Sequence, residues 1–111
     1  MKLSLGVDIG GTNTCLGVVT PEGVVRSRAE FKTGDFSNGS LFAEHLAGVI
    51  RELMQRDKSE NGKGEWIGLG IGAPNGNHVS GSIEEPPNLK FKGNTPLVSL
   101  MEARLDLPKI S

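Results

Sequence analysis

Leu3-Ser4-Leu5-Gly6-Val7-Asp8-Ile9-Gly10-Gly11-Thr12-Asn13-Thr14 is the stretch on which the reading of this chain turns. Its first seven residues alternate apolar and small or polar side chains, the period of a strand, and then stop at two glycines. A second strand-like run follows, Thr14-Cys15-Leu16-Gly17-Val18-Val19-Thr20. Glycines at the bend permit positive φ and let backbone approach a ligand. Successive N–H groups in such a bend make a concave anion site, to which the hydroxyls of Thr12 and Thr14 can add. Asp8, at the strand's end, sets a carboxylate beside that cradle, where a phosphate-bound Mg²⁺ would hold it through water. The competing reading is a plain Gly-Gly hairpin with a turn aspartate.

Outward from this stretch the chain reads as one α/β unit. Strands are expected over roughly Leu3–Asp8, Thr14–Thr20 and Val24–Phe31, with Pro21-Glu22-Gly23 as a tight turn between the last two. Phe42, Leu46, Val49, Ile50 and Leu53 recur at helical steps, with Ser40 as the expected N-cap. The polar run Asp57–Gly64 reads as a solvated loop that ends this helix. Trp66–Ala73 alternates apolar residues with glycines and reads as a fourth strand, one face of which something must approach closely. The stretch from Pro74 to Pro96 reads mostly as loop. A second helix follows over Pro96–Arg104, and Leu107-Pro108-Lys109-Ile110 reads as the start of a fifth strand.

Composition narrows the function classes. The 111 residues suffice for one modest domain. Lys+Arg is 12 against Asp+Glu 13, so the net charge of −1 gives no electrostatic case for nucleic acid or acidic membranes. No apolar stretch approaches a membrane span and no signal-peptide core is present, so a cytoplasmic setting is expected. The single cysteine, Cys15, fits a reducing compartment and is expected to be a small buried apolar residue. Asn38-Gly39-Ser40 matches a glycosylation sequon but is read as a turn. Adjacent Glu84 and Glu85 point apart in an extended loop, and His45 on the helix stripe reads as structural. His78 lies in a loop. No His/Cys cluster has metal-ligand spacing.

The order β-β-β-α-β-α-(β) is that of a ribonuclease-H-like lobe, a mixed sheet extended by right-handed crossovers. Three blocks within it resemble one family. Asp8-Ile9-Gly10-Gly11-Thr12 resembles the first phosphate motif of the sugar-kinase, heat-shock-protein and actin superfamily. Gly70-Ile71-Gly72-Ala73-Pro74 with Gly76 resembles the second signature of its ROK branch (repressors, open reading frames and kinases). Glu85-Pro86-Pro87-Asn88-Leu89, with Phe91 and Gly93 behind it, resembles the ROK segment ending in Pro-Asn-Leu. The similarity runs from Leu3 to the last residue and is greatest to bacterial glucokinase-type members.

That resemblance implies roles at the matching positions. Asp8 would help hold Mg²⁺, and Gly10, Gly11 and Thr12, with Asn13 and Thr14 beside them, would contact the phosphates of ATP. Gly72, Ala73, Pro74 and Asn75 would line the sugar cleft, where the missing side chain of Gly72 leaves room for a hexose ring. Asn88 would pair donor and acceptor with sugar hydroxyls, the alternative being an Asx-type turn. Asn75 departs from the glycine commonest after that proline. The general base of such kinases would be an aspartate in an Asn-Asp-Ala-Asn-like motif after the strand that begins near Pro108. No such motif occurs by Ser111, so residues 1–111 are expected to be the N-terminal lobe of a ROK-type sugar kinase, inactive alone. The zinc-binding His/Cys segment and adenosine contacts of the family are expected outside this stretch, and the full-length protein is expected to be a homodimer. Two other readings stand beside it: a sugar-sensing ROK transcriptional regulator, and a non-catalytic binding module.

Overall fold

The computed structural model describes residues 1–73, 76–77, 81–83 and 94–111. Strands β1 (Lys2–Ile9), β2 (Asn13–Val19) and β3 (Val25–Lys32) form an antiparallel meander, followed by a 3₁₀ turn at Thr33–Asp35. Helix α1 (Gly39–Asn61) then crosses to β4 (Glu65–Gly72). The sheet order is β3-β2-β1-β4, with β4 parallel to β1, so the meander and the crossover meet at β1. Two short strands, β5 (Gly76–Asn77) and β6 (Ser82–Ile83), pair with each other, and α2 (Leu97–Glu102) follows. Beyond α2, residues 109–111 join the free edge of β4: Leu69 N–H donates to the Lys109 carbonyl (2.7 Å) and Ile71 N–H to the Ser111 carbonyl (2.8 Å). Of the strand expected at Leu107–Ile110, Ile110 forms a single parallel bridge to Leu69 of β4.

Alternation decides which face of β1 is buried. Leu3, Leu5, Val7 and Ile9 all face the core, together with Leu16 and Val18 of β2. Against them α1 lays Phe42, Leu46, Ile50 and Leu53, and α2 adds Leu97 and Met101. Each such side chain fully removed from water contributes about 1.5–3 kcal/mol. The opposite face carries Gly6, Gly17 and Gly70 side by side. A Cβ built on Gly6 or Gly70 meets nothing within 4 Å, so among the described residues no element fills that face there. Close approach occurs instead at Gly68, whose Cβ would lie 2.8 Å from the Lys109 carbonyl oxygen.

Three local expectations need correcting. The N-cap of α1 is Asn38, not Ser40: Asn38 has extended backbone and its Oδ1 accepts from Ser40 N (2.8 Å) and Leu41 N (3.2 Å). The helix also runs four residues past Asp57, to Asn61, and stops at Gly62, whose φ of +86° only glycine adopts freely. What holds that last turn is a buried ion pair. Asp57 accepts from Arg26 Nε (3.0 Å) and Nη2 (2.7 Å), from Ser27 Oγ (2.6 Å) and from Asn61 Nδ2 (3.1 Å). The Arg26 guanidinium holds the Asp57 carboxyl below the usual carboxylate range, against the opposing effect of burial. Third, Cys15 is exposed, because the register pairs it with Asp8 and Glu30 on the outer face while its neighbours Thr14 and Leu16 turn inward.

Candidate functional site

The parallel pairing of β1 with β4 sets Asp8 opposite Gly72. Continuing across the sheet, Cys15 lies on the other side of Asp8, and Glu30 beyond it. The first and second glycine-rich blocks, about sixty positions apart in sequence, therefore end at the same edge of the sheet. That edge is formed by the carboxyl ends of two parallel strands, where open α/β sheets bind their ligands. Asp8 is exposed there, as is Gly72, while Ala73 is half-buried against the core.

The bend between β1 and β2 is closed by one hydrogen bond, from Gly10 N–H to the Asn13 carbonyl at 2.9 Å. A Cβ on Gly10 would lie 2.9 Å from that same oxygen, which is why no side chain fits. The glycine is thus required by close approach and not by handedness: the positive-φ glycines among the described residues are Gly23, Gly62 and Gly81. Gly10's own amide is occupied, so it shapes the cradle and does not supply a donor. The amides of Gly11 and Thr12 donate to no backbone carbonyl among the described residues, and Thr12 and Asn13 are exposed. These are the groups an anion could reach.

Thr14 is a correction. Its side chain is fully buried, and its Oγ1 lies 2.6 Å from Thr33 Oγ1. A hydroxyl on the core face of β2 cannot serve a ligand on the outer side, so Thr14 supports the bend from beneath. Thr33, which the sequence reading passed over, also donates its N–H to the Thr12 carbonyl (2.9 Å). A lone threonine after a strand carries no sequence signal of such a role. Glu30 was also missed. Its carboxylate accepts from Cys15 Sγ at 3.2 Å, and this hydrogen bond, followed by burial and the charges of Glu30 and Asp8, raises the pKa of the Cys15 thiol.

His45 is exposed on α1, with its ring 4.7 Å from Phe31 and 5.0 Å from Phe36, the contacts of a packing residue. Pro74, Asn75, His78, Glu84, Glu85 and Asn88 lie outside the described residues.

Similarity to known proteins bears on this edge. The chain is 30% identical over 108 residues to a glucokinase of Halalkalibacterium halodurans, covering 96% of this chain and 32% of that protein. Among solved structures, a ROK family glucokinase from Streptomyces griseus in complex with glucose and AMPPNP is 28% identical with a TM-score of 0.70, covering 96% of this chain and 31% of that one. A ROK family transcriptional regulator, homologous to the E. coli MLC protein, shares the fold alone: TM-score 0.79 at 15% identity, over 99% of this chain and 27% of that one. The chain spans about a third of the length of the relatives it matches. Its four-stranded mixed sheet corresponds to the N-terminal portion of the actin-like ROK sugar-kinase fold. Matched to the ROK family over residues 4–110, this chain belongs to that family.

Proposed function

We propose that this chain is the N-terminal lobe of an ATP-dependent hexose kinase of glucokinase type, transferring the γ-phosphoryl group of Mg-ATP to a sugar hydroxyl. One observation carries the reading: the register that puts Asp8 beside Gly72, so that the phosphate bend and the glycine-rich end of β4 share one open edge. The residues present fit the nucleotide. The Gly10 position has no room for a Cβ, the Gly11 and Thr12 amides donate to no backbone carbonyl among the described residues, and Asp8 offers an exposed carboxylate. Gly11, Thr12 and Asn13 would hold the terminal phosphates, and Asp8 would hold Mg²⁺ through its water shell. Mg-ATP, when bound, supplies the electrophilic phosphoryl group and the metal charge that neutralises it. Gly72 and Ala73 would border the sugar, whose attacking hydroxyl must lie near that phosphate.

Support for the kinase reading over the regulator comes from sequence: the glucokinases are 30% and 28% identical to this chain, the regulator 15%. The test uses the full-length product of the gene encoding this chain, assayed with Mg-ATP against glucose, mannose, fructose and N-acetylhexosamines. Turnover of a hexose, strongest with glucose, is expected, and the 111-residue chain alone should give none. Sugar binding without phosphoryl transfer in the full-length protein would replace this reading with the regulator.

A further inference from the structure

We propose that Thr33 is a positioning residue for the nucleotide: buried behind the bend, it sets the direction of the amides that would receive the phosphates. The proposal deepens the kinase reading above and rests on it. Thr33 directly follows β3 and is about 1% exposed, so it cannot touch a ligand itself. Its three polar groups are all engaged. The N–H donates to the Thr12 carbonyl (2.9 Å), the carbonyl accepts from Phe36 N–H (3.1 Å), and the hydroxyl pairs with that of Thr14 (2.6 Å). Thr33 therefore grips both sides of Asn13, by the carbonyl before it and the side chain after it.

The geometric consequence follows from peptide planarity. The Thr12 carbonyl and the Asn13 N–H belong to one rigid unit and point in opposite directions. Tying the Thr12 oxygen to Thr33 fixes the plane of the Thr12–Asn13 peptide, and with it the end of the bend that carries the Gly11 and Thr12 amides. The bend is thus held from two directions, by Gly10 across it and by Thr33 behind it. The Thr14–Thr33 hydroxyl pair keeps the two strands in the register on which this depends. Loss of one hydroxyl strands the other in the core, where an unpaired polar group is costly, and the strand ends shift to relieve it. A site built from backbone amides tolerates little such displacement.

The experiment compares Thr33→Val, Thr33→Ser, Thr14→Val and the double variant Thr14→Val/Thr33→Val in the full-length protein. Three readouts are taken: urea stability, the KM for Mg-ATP against the KM for the hexose, and the protection of the residue 11–13 amides from hydrogen exchange on adding Mg-ATP. The expected result for Thr33→Val is a roughly tenfold rise in the KM for Mg-ATP, an unchanged hexose KM, and loss of most of that protection. Thr33→Ser, which keeps the hydroxyl, should lie within about twofold of wild type. Thr14→Val should reproduce Thr33→Val, and the double variant should be no worse than either alone, since both remove one interaction. The double variant leaves no orphaned hydroxyl, so it carries the test if a single variant fails to fold. Unchanged nucleotide parameters in folded variants, or equal losses for nucleotide and hexose, would overturn the positioning role alone. A wild-type protein whose bend amides ignore Mg-ATP would overturn the kinase reading itself, and this inference with it.

Discussion

Replacing Asp57 by asparagine tests the packing logic most sharply. Asp57 accepts four hydrogen bonds, two of them from Arg26, and its side chain is 1% exposed while that of Arg26 is 16% exposed. Asparagine keeps the shape but removes the charge and turns one acceptor into a donor aimed at other donors. Removing one partner of a buried pair costs about 3–5 kcal/mol, and Arg26's partial access to water places the expected cost near the lower end, ~3 kcal/mol. At about 2.1 cal/mol/K of unfolding entropy per residue, 111 residues convert that into a fall in Tm of roughly 10–15 °C. The pH dependence has a fixed sign. Asp57 titrates lower in the folded chain than in the unfolded one, so its contribution is complete above the unfolded value of about 4 and is lost as pH falls through the folded value. Urea unfolding of both proteins from pH 7 to pH 3 should therefore show a constant difference down to about pH 5, narrowing below about pH 4. A difference under about 1 kcal/mol at pH 7, or one that widens in acid, would refute the assignment of Asp57 as a charged anchor.

Four further outcomes are expected. Gly10→Ala drives a Cβ against the Asn13 carbonyl, costing about 1–3 kcal/mol in urea melts and abolishing the response of the bend amides to Mg-ATP. Asn38→Ala removes the acceptor for two amides at the start of α1 and should cost about 1 kcal/mol, seen as a Tm some 4–5 °C lower by calorimetry. Glu30→Ala removes both the hydrogen bond that is the first cause of the raised Cys15 pKa and the Glu30 charge, so the pH profile of Cys15 alkylation by iodoacetamide should move to lower pH than in wild type. Among the described residues a Gly72→Ala methyl meets only the Val7 carbonyl, at 3.9 Å, so it should leave the Tm unchanged while raising the KM for the hexose in the full-length protein. A stable Gly72→Ala variant with a normal hexose KM would remove Gly72 from the sugar site.

Much of this architecture was legible because its cause is local. Alternation at Leu3, Leu5, Val7 and Ile9 needs no partner to be read, nor do the helical steps of Phe42, Leu46 and Ile50. The first glycine block was legible as chemistry before any contact was known, and the other two were legible as a family resemblance. What escaped was set by register. Thr14 and Cys15 are adjacent, and either could have been the inward one; pairing with Ile9 and Asp8 decides it, and a slip of one residue would exchange them. Asp57 sits in a run of charges that looks solvated, and its partner Arg26 comes 31 positions earlier, where nothing marks it. Thr33 escaped for the same reason, since its hydroxyl partner lies 19 positions earlier, on the neighbouring strand.

The two ends of β3 explain why side-chain reading served the fold better than the site. Near its beginning, Arg26 and Ser27 bind Asp57 through charge and hydroxyl, interactions that belong to side chains. At its far end the chain passes Thr33 beneath the bend, where the proposed phosphate-binding groups are backbone amides that every residue but proline possesses. A site of this kind is specified by where side chains are missing and by what lies behind it. In the proposed site Gly10 and Gly72 would act by leaving space, and Thr14 and Thr33 by holding register from within the core. Asp8 is the exception, an exposed carboxylate whose value depends on that framework bringing Gly72 to its side. Affinity for the nucleotide should therefore respond more to buried substitutions at the Thr14–Thr33 pair than to the exposed charge of Arg28, which pairs with Gly17 partway along β2, away from the bend.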